Sequence, residues 1–328
     1  MSQPQPTFEV LPRDLSAYRQ GNTGIDYVHR FASGKPGPHL LINALTHGNE
    51  ICGMVAATHL LDSGVRPKIG TLTVSFAHVE AYAAFDPAKP FDNRQIVHNL
   101  NRIWSDEMLD GPENSPELRR ARELRPVVAA ADHILDIHST SQDVVPFWVY
   151  PDFERNARVA LAIGLPTVHL VMPKGLGSGT PIIEHGRLAC ADAPGAAVVV
   201  ECGQHFKRAS ADLATEVALR FLAHFGLIER APASEAKAPQ RRFQLLQTHV
   251  IKSPDFHFVR PLVGFETFAA GELIAINGPD EIRAPCDDCT VFMPARAAIV
   301  GREAVYLTKP MAEARPPEKN ASLSARDE

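Results

Sequence analysis

The stretch LINALTHGNE, residues 41 to 50, carries an apolar, strand-like run straight into His47, Gly48, Asn49 and Glu50. An apolar run closed by such a polar cluster reads as a buried strand that ends where a helix begins. The next residues support this reading. Ile51, Met54, Val55, Thr58 and Leu61 share one face of a helix over 50–62, with Asn49 placed to cap its start and Gly64 beyond its end. His47 and Glu50 are then expected to project above the carboxyl edge of a sheet, where open α/β sheets bind ligands.

Further strand candidates recur outward from this point, at 39–45, 71–77, 133–138, 145–150, 166–171 and 197–202, alternating with helical patterns. That alternation predicts an α/β fold, a mixed but mostly parallel sheet flanked by helices. A second helix is expected over 210–225, capped by Ser210, striped by Ala214, Val217, Ala218, Phe221, Leu222 and Phe225, and stopped by Gly226. A third begins at Ser115-Pro116-Glu117, and Pro126 should break or kink it. Residues 229–242 lose periodicity and become rich in Ala, Pro and charge, which reads as a linker. The expected organisation is therefore an α/β domain over 1–228 and a smaller all-β domain over 243–310. The latter has strands near 257, 272–276 and 290–294, and a disordered tail follows over 311–328.

Composition narrows the function classes. A chain of 328 residues with 45% hydrophobic content can bury a sizeable core, and a net charge of -5 offers no electrostatic reason to bind nucleic acid or an anionic membrane. No stretch approaches the roughly 18 apolar residues of a membrane span, and the amino terminus lacks a basic then apolar leader. The expectation is a soluble cytoplasmic protein with a small-molecule partner, homo-oligomer formation being left open. Five cysteines do not suggest a disulfide framework, so reduced thiols are expected. Cys286 and Cys289 form a single CxxC without a second pair and read as a turn. Cys202 reads as a small buried residue. Gly175 to Gly179 lacks the Lys-Ser/Thr of a phosphate loop and is expected to be a mobile loop bordering the site.

Three strand ends carry chemistry. Beyond His47 and Glu50, the strand at 133–137 delivers His138, Ser139 and Thr140, and the strand at 196–200 ends in Glu201-Cys202-Gly203. Two imidazoles and a carboxylate are the ligand set of many hydrolytic zinc sites, whose fourth position stays open for water; the remaining carboxylate could then act as general base. Singly, each residue fits a plainer role. A Glu in a first helical turn answers the macrodipole, a lone His after a buried strand is more often hydrogen-bonded core, and Glu201 could be a surface carboxylate. Their conjunction in one α/β domain is what points to a site. The segment 92–102 adds planar polar groups and two arginines, Arg94 and Arg102, whose forks suit carboxylates.

HGNE at 47–50, NLNR at 99–102, DIHST at 136–140 and VECG at 200–203 stand in the order and rough spacing of the succinylglutamate desuccinylase/aspartoacylase family. The chain resembles that family over roughly 39–226, and its C-terminal β region is similar to the family's second domain. The resemblance implies a zinc carboxypeptidase-like hydrolase with one zinc ion per chain held by His47, Glu50 and His138. It implies Glu201 as general base and later proton donor, and Arg94 as the group polarising the carbonyl. Asn101 and Arg102 would hold the free carboxylate of an N-acyl amino acid, Tyr306 would lie over the substrate, and Asp136 would orient an imidazole. The family's arginine for a second substrate carboxylate would fall near Ala191, and Arg187 is the nearest arginine here. The implied activity is deacylation of a small N-acyl amino acid or related N-acyl amine. A carboxypeptidase acting on short peptides and a catalytically silent binding protein are the alternatives.

Overall fold

Each apolar run named above forms a strand, and three of them end side by side. The computed structural model describes residues 6–173, 175–229 and 238–312, so much of the expected linker and nearly all of the expected tail lie outside the described residues. The first strands are β1 (Val28–Ala32), β2 (His39–Ala44), β3 (Thr71–Phe76), β4 (His133–Thr140), β5 (Phe147–Pro151), β6 (Val168–Met172) and β7 (Ala197–Gln204). They are followed by β8 (Arg241–Val250), β9 (His257–Phe258), β10 (Thr267–Phe268), β11 (Leu273–Asn277), β12 (Asp280–Arg283), β13 (Cys289–Phe292) and β14 (Glu303–Pro310). The helices are α1 (Ile51–Asp62), α2 (Val79–Ala83), α3 (Asp106–Asp110), α4 (Pro116–Ala130), α5 (Glu154–Ile163) and α6 (Arg208–His224).

One 11-stranded sheet runs in the order β1-β3-β2-β4-β7-β5-β6-β8-β14-β13-β10, and β12-β11-β9 form a second, small sheet. The expected mixed α/β sheet with a smaller C-terminal β region is therefore present. Its centre, β3-β2-β4-β7, is parallel, as buried apolar runs joined through helices require. β1 and β5 are the antiparallel departures on the amino-terminal side, against β3 and β7 respectively. β8 starts at Arg241, inside the segment expected as linker, and pairs parallel with β6, so the C-terminal strands continue the same sheet. One core cluster packs α1 and α6 against one face, and another packs α4 against the other.

Several local expectations are corrected. α1 is buried nearly all round, not on a single stripe, because α6 packs on the side that a surface helix would leave to water. Asn49 does not cap it. Glu50 holds the cap position without a capping bond, its carboxylate being turned to two histidines instead. α6 begins at Arg208, so Ser210 lies inside the helix and donates to the Gln204 carbonyl at 2.8 Å. Ser115 does cap α4, accepting from the Leu118 amide at 3.1 Å, but Pro126 does not end that helix, which runs on to Ala130. A proline there removes one backbone bond, and burial of Leu124, Val127 and Val128 outweighs that loss.

Gly48 shows why the turn after β2 has the composition it has. A Cβ at this position would lie 2.3 Å from the Asn93 carbonyl oxygen and 2.5 Å from the Ala81 carbonyl carbon, so only glycine lets the 91–94 segment close over the turn. The Gly48 amide then donates to the Arg94 carbonyl at 3.1 Å, fixing the backbone of an expected site residue.

Candidate active site

The sheet order explains the convergence. β2, β4 and β7 are neighbours and parallel, so their carboxyl ends lie along one edge, with His138 opposite Glu201 in register. β2 stops where Leu45 takes a left-handed conformation (φ 58°), and the turn that follows carries Thr46, His47 and Gly48. His47, Glu50, His138 and Glu201 are all buried.

His47 Nδ1 lies 2.7 Å from Glu50 Oε1, and His138 Nδ1 lies 2.9 Å from Glu50 Oε2. One donor atom from each of the three residues falls within 4.8 Å of the other two, the spacing of a group that could hold a metal ion. The outer ring nitrogens test the fit. His47 Nε2 is 2.8 Å from Asn99 Oδ1, an atom fixed as oxygen because it also accepts from the Asn101 amide. His138 Nε2 is 2.6 Å from Asp136 Oδ2. Both Nε2 atoms therefore donate outward, so the Nδ1 of each ring is the nitrogen that faces Glu50 and, once it carries no proton, offers a lone pair there. Glu50 Oε2, buried, has no well-aligned hydrogen bond. Three facing electron-pair donors with an unsatisfied carboxylate oxygen suit a divalent cation.

Charge tunes the cluster. Burial, reinforced by Arg94, lowers the His47 pKa to about 4, so this ring is neutral near pH 7. Burial also acts against a charge on His138, but Asp136 and Glu50 outweigh it and hold that pKa above the usual imidazole value. Glu201 is pushed up to about 8, chiefly by burial, with His138 pulling the other way, and its Oε2 has no hydrogen-bond partner. Asp136 is itself braced through Oδ1, which accepts from Thr46 Oγ1 and Asn43 Nδ2 at 2.8 Å each.

Above the cluster lies a cavity of about 510 Å³ whose walls include Arg94, Asn99, Arg102, Ser178, Glu303 and Tyr306. The three candidate ligands are not among the lining residues; Asn49 and Ser139, their chain neighbours, are. Arg94 reaches down to Glu50, with Nη1 3.4 Å from Oε1. Asn101 is buried and accepts from the Ile182 amide at 3.0 Å. Arg102 and Tyr306 meet, the phenol oxygen 3.1 Å from Nη2. Arg187 does not join them. Its guanidinium bonds the Ala131 carbonyl and stands 3.5 Å from Asp132, at the start of β4, whereas His138 lies near the end of that strand. It does not replace the missing arginine.

Sequence reasoning missed four contributors. Asn99 sets the His47 ring, and Glu303 and Ser178 bond Arg102. His205 lines the cavity with its Nδ1 2.8 Å from Ser139 Oγ. Asn99 lay inside a quoted motif, and Ser178 inside the glycine-rich loop expected to border the site. Nothing local marked Glu303 or His205.

The loop carrying Arg94 and Asn99 is anchored by Glu117, at the start of α4. Its Oε1 accepts from the amides of Ile96 and Val97 at 2.7 and 3.0 Å and lies 3.0 Å from His78 Nε2. Burial opposes the charge, yet these backbone donors prevail and draw the carboxyl from an ordinary value near 4.5 down to about 2. The unfolded chain therefore takes up the proton first. The contribution is intact above about pH 4.5 and is lost as pH falls toward about 2. Glu117→Gln is expected to cost roughly 2 kcal/mol at pH 7. It should also flatten the loss of stability on acidification, read by urea unfolding at a series of pH values; an unchanged acid limb would count against this account.

A mixed α/β sheet bearing three converging candidate metal ligands at its carboxyl edge defines a class, and its relatives narrow it. Residues 36–224 match the model of the succinylglutamate desuccinylase/aspartoacylase catalytic domain. The chain belongs to the succinylglutamate desuccinylase/aspartoacylase family. No curated protein matches the sequence significantly. Among solved structures, succinylglutamate desuccinylase from Vibrio parahaemolyticus is similar at 19% identity, covering 87% of this chain and 86% of that one, with a TM-score of 0.64. The succinylglutamate desuccinylase from Chromobacterium violaceum gives 19%, 90% of each chain and 0.64. The ectoine utilization protein EutE (DoeB) from Ruegeria pomeroyi gives 17%, 86% and 88%, and 0.60. At these identities the likeness is one of fold. No described helix is long and apolar enough to cross a membrane.

Proposed function

We propose that the protein is a zinc-dependent amidohydrolase that removes the acyl group from a small N-acyl amino acid or related N-acyl amine. The observation that carries this reading is the convergence of His47, Glu50 and His138 beside buried Glu201 on the neighbouring strand, whose Oε2 has no hydrogen-bond partner among the described residues. Zinc held by those three residues would supply Lewis acidity and a bound water acidified toward pKa ~7. Glu201, whose proton affinity burial brings close to neutrality, takes the proton from the attacking water and returns it to the leaving amine. Arg94 donates to the carbonyl oxygen as negative charge develops there. Asp136 and Asn99 keep the two imidazoles oriented. Arg102 and Tyr306 line the side of the cavity that would receive the amine portion, and Asn101 lies buried behind them, holding the Ile182 amide.

Loops and strands of the C-terminal region, from Met293 to Tyr306, wall the cavity, a shape that suits a small substrate better than a peptide laid along a groove. The test is metal analysis with a panel of N-acyl amino acids, N-acyl amines and short peptides. Release of acetate or succinate supports a deacylase, and amino acids freed from peptides support a carboxypeptidase. Treatment with a chelator is expected to abolish hydrolysis and added zinc to restore it; activity that survives complete removal of metal would sink the reading.

A further inference from the structure

Arg102 is the guanidinium expected to hold a substrate carboxylate, yet its donors are already engaged within the chain. Glu303 accepts from Nε at 2.9 Å and from Nη2 at 2.7 and 2.9 Å. Nη1 donates to the Asn101 carbonyl at 2.7 Å, and Tyr306 lies against Nη2. Ser178 bonds both Arg102 and Glu303. This fork-on-fork geometry is how an arginine binds a free carboxylate. β14 thus supplies from inside the protein the very group that the substrate was expected to bring.

We propose that Glu303 fills the carboxylate position at Arg102, so that the pocket takes an N-acyl amine with no free carboxylate on that side. The inference rests on the deacylase reading and narrows its substrate class. A substrate carboxylate at this place would set two like charges on one largely buried guanidinium, a disfavoured arrangement. Burial works against the Glu303 charge, but Arg102 outweighs it and holds the carboxyl below its ordinary range, so the pair stays ionised and neutral in sum. What remains for a ligand is a neutral polar wall beside an apolar rim, where Val97, Val263 and Ile299 are 55%, 45% and 43% exposed and line the cavity. The proposal concerns the Arg102 side alone. Arg302 lines the same cavity and forms no salt bridge among the described residues, which leaves a cation elsewhere in the pocket for a ligand.

Matched pairs test it: N-acetyl-leucine against its carboxamide, and N-acetyl-alanine against its carboxamide, with zinc-loaded protein. The parent is expected to favour each carboxamide in kcat/KM by at least about tenfold, and Glu303→Gln, which uncovers the guanidinium charge, to shift the ratio toward the acid by a similar factor. Adding Arg102→Gln to Glu303→Gln removes both charges and should return the ratio toward that of the parent. Calorimetric binding of leucine and leucinamide should follow the same order. A parent that prefers the acids, or a ratio indifferent to Glu303→Gln, overturns the proposal. The parent's own preference decides it even where a variant does not fold. If no pair is hydrolysed, the deacylase reading is judged on the wider panel above, and the order of leucine and leucinamide binding decides what Arg102 accepts.

Discussion

Glu201→Ala is expected to retain about one zinc ion per chain while kcat falls by roughly 10² to 10⁴-fold, the usual worth of a positioned general base. The separation of the two effects follows from where the residue sits. Glu201 lies on β7, beside the strand that carries His138, and is not one of the three residues whose donor atoms converge. Its Oε2 makes no hydrogen bond, so truncation breaks no network that holds the histidines. Removing a carboxyl that burial disfavours in its charged form should leave thermal stability unchanged or slightly higher. Turnover at the parent rate would end the assignment of Glu201 as base, and loss of zinc would make it a ligand instead.

His138→Ala should do the reverse and abolish stoichiometric metal binding. The substitution deletes one of three donors and leaves both Asp136 Oδ2 and Glu50 Oε2 facing an empty space in a buried region. Breaking such a buried pair costs on the order of 3 to 5 kcal/mol, so a drop in the unfolding midpoint should accompany the loss of metal. Asp136→Asn is the gentler probe. It keeps the ligand and loosens its orientation, and a metal affinity weaker by roughly 10- to 100-fold is expected. Equilibrium dialysis followed by elemental analysis measures both variants. If His138→Ala binds zinc as tightly as the parent, the ligand set is wrong.

The parts of the site that were legible in the sequence share a physical cause. Strands buried on both faces must be continuous apolar runs, so the polar residues that end them stand out: His47 and Glu50 after β2, His138 on β4, Glu201 on β7. What could not be read depends on contacts distant in the chain. Glu303 pairs with Arg102 from 201 residues away, and no local pattern announces such a partner. Whether Arg187 could stand in for an arginine expected near Ala191 was left open by the sequence, and the fold puts it at the start of β4, away from His138. α1 was expected to bury one face, and only knowledge of α6 across it would have corrected that. Pro126 was expected to break or kink α4, and the helix continues through it because burial on either side offsets the missing amide, which the sequence does not show.

The pairing of β6 with β8 has a consequence for how such a protein can change its diet. Because residues 168–171 of β6 bond directly to 241–244 of β8, the histidines and the wall that carries Glu303 and Tyr306 belong to one stiff plate. Cutting the chain before β8 would not release a smaller working core. It would bare the backbone of β6 as a sticky edge and take away the far side of the cavity. A lineage seeking a new substrate cannot readily graft on a different second half. Exchange of single side chains along β14 is the shorter route, and a swap at 303 would change the charge that the cavity presents.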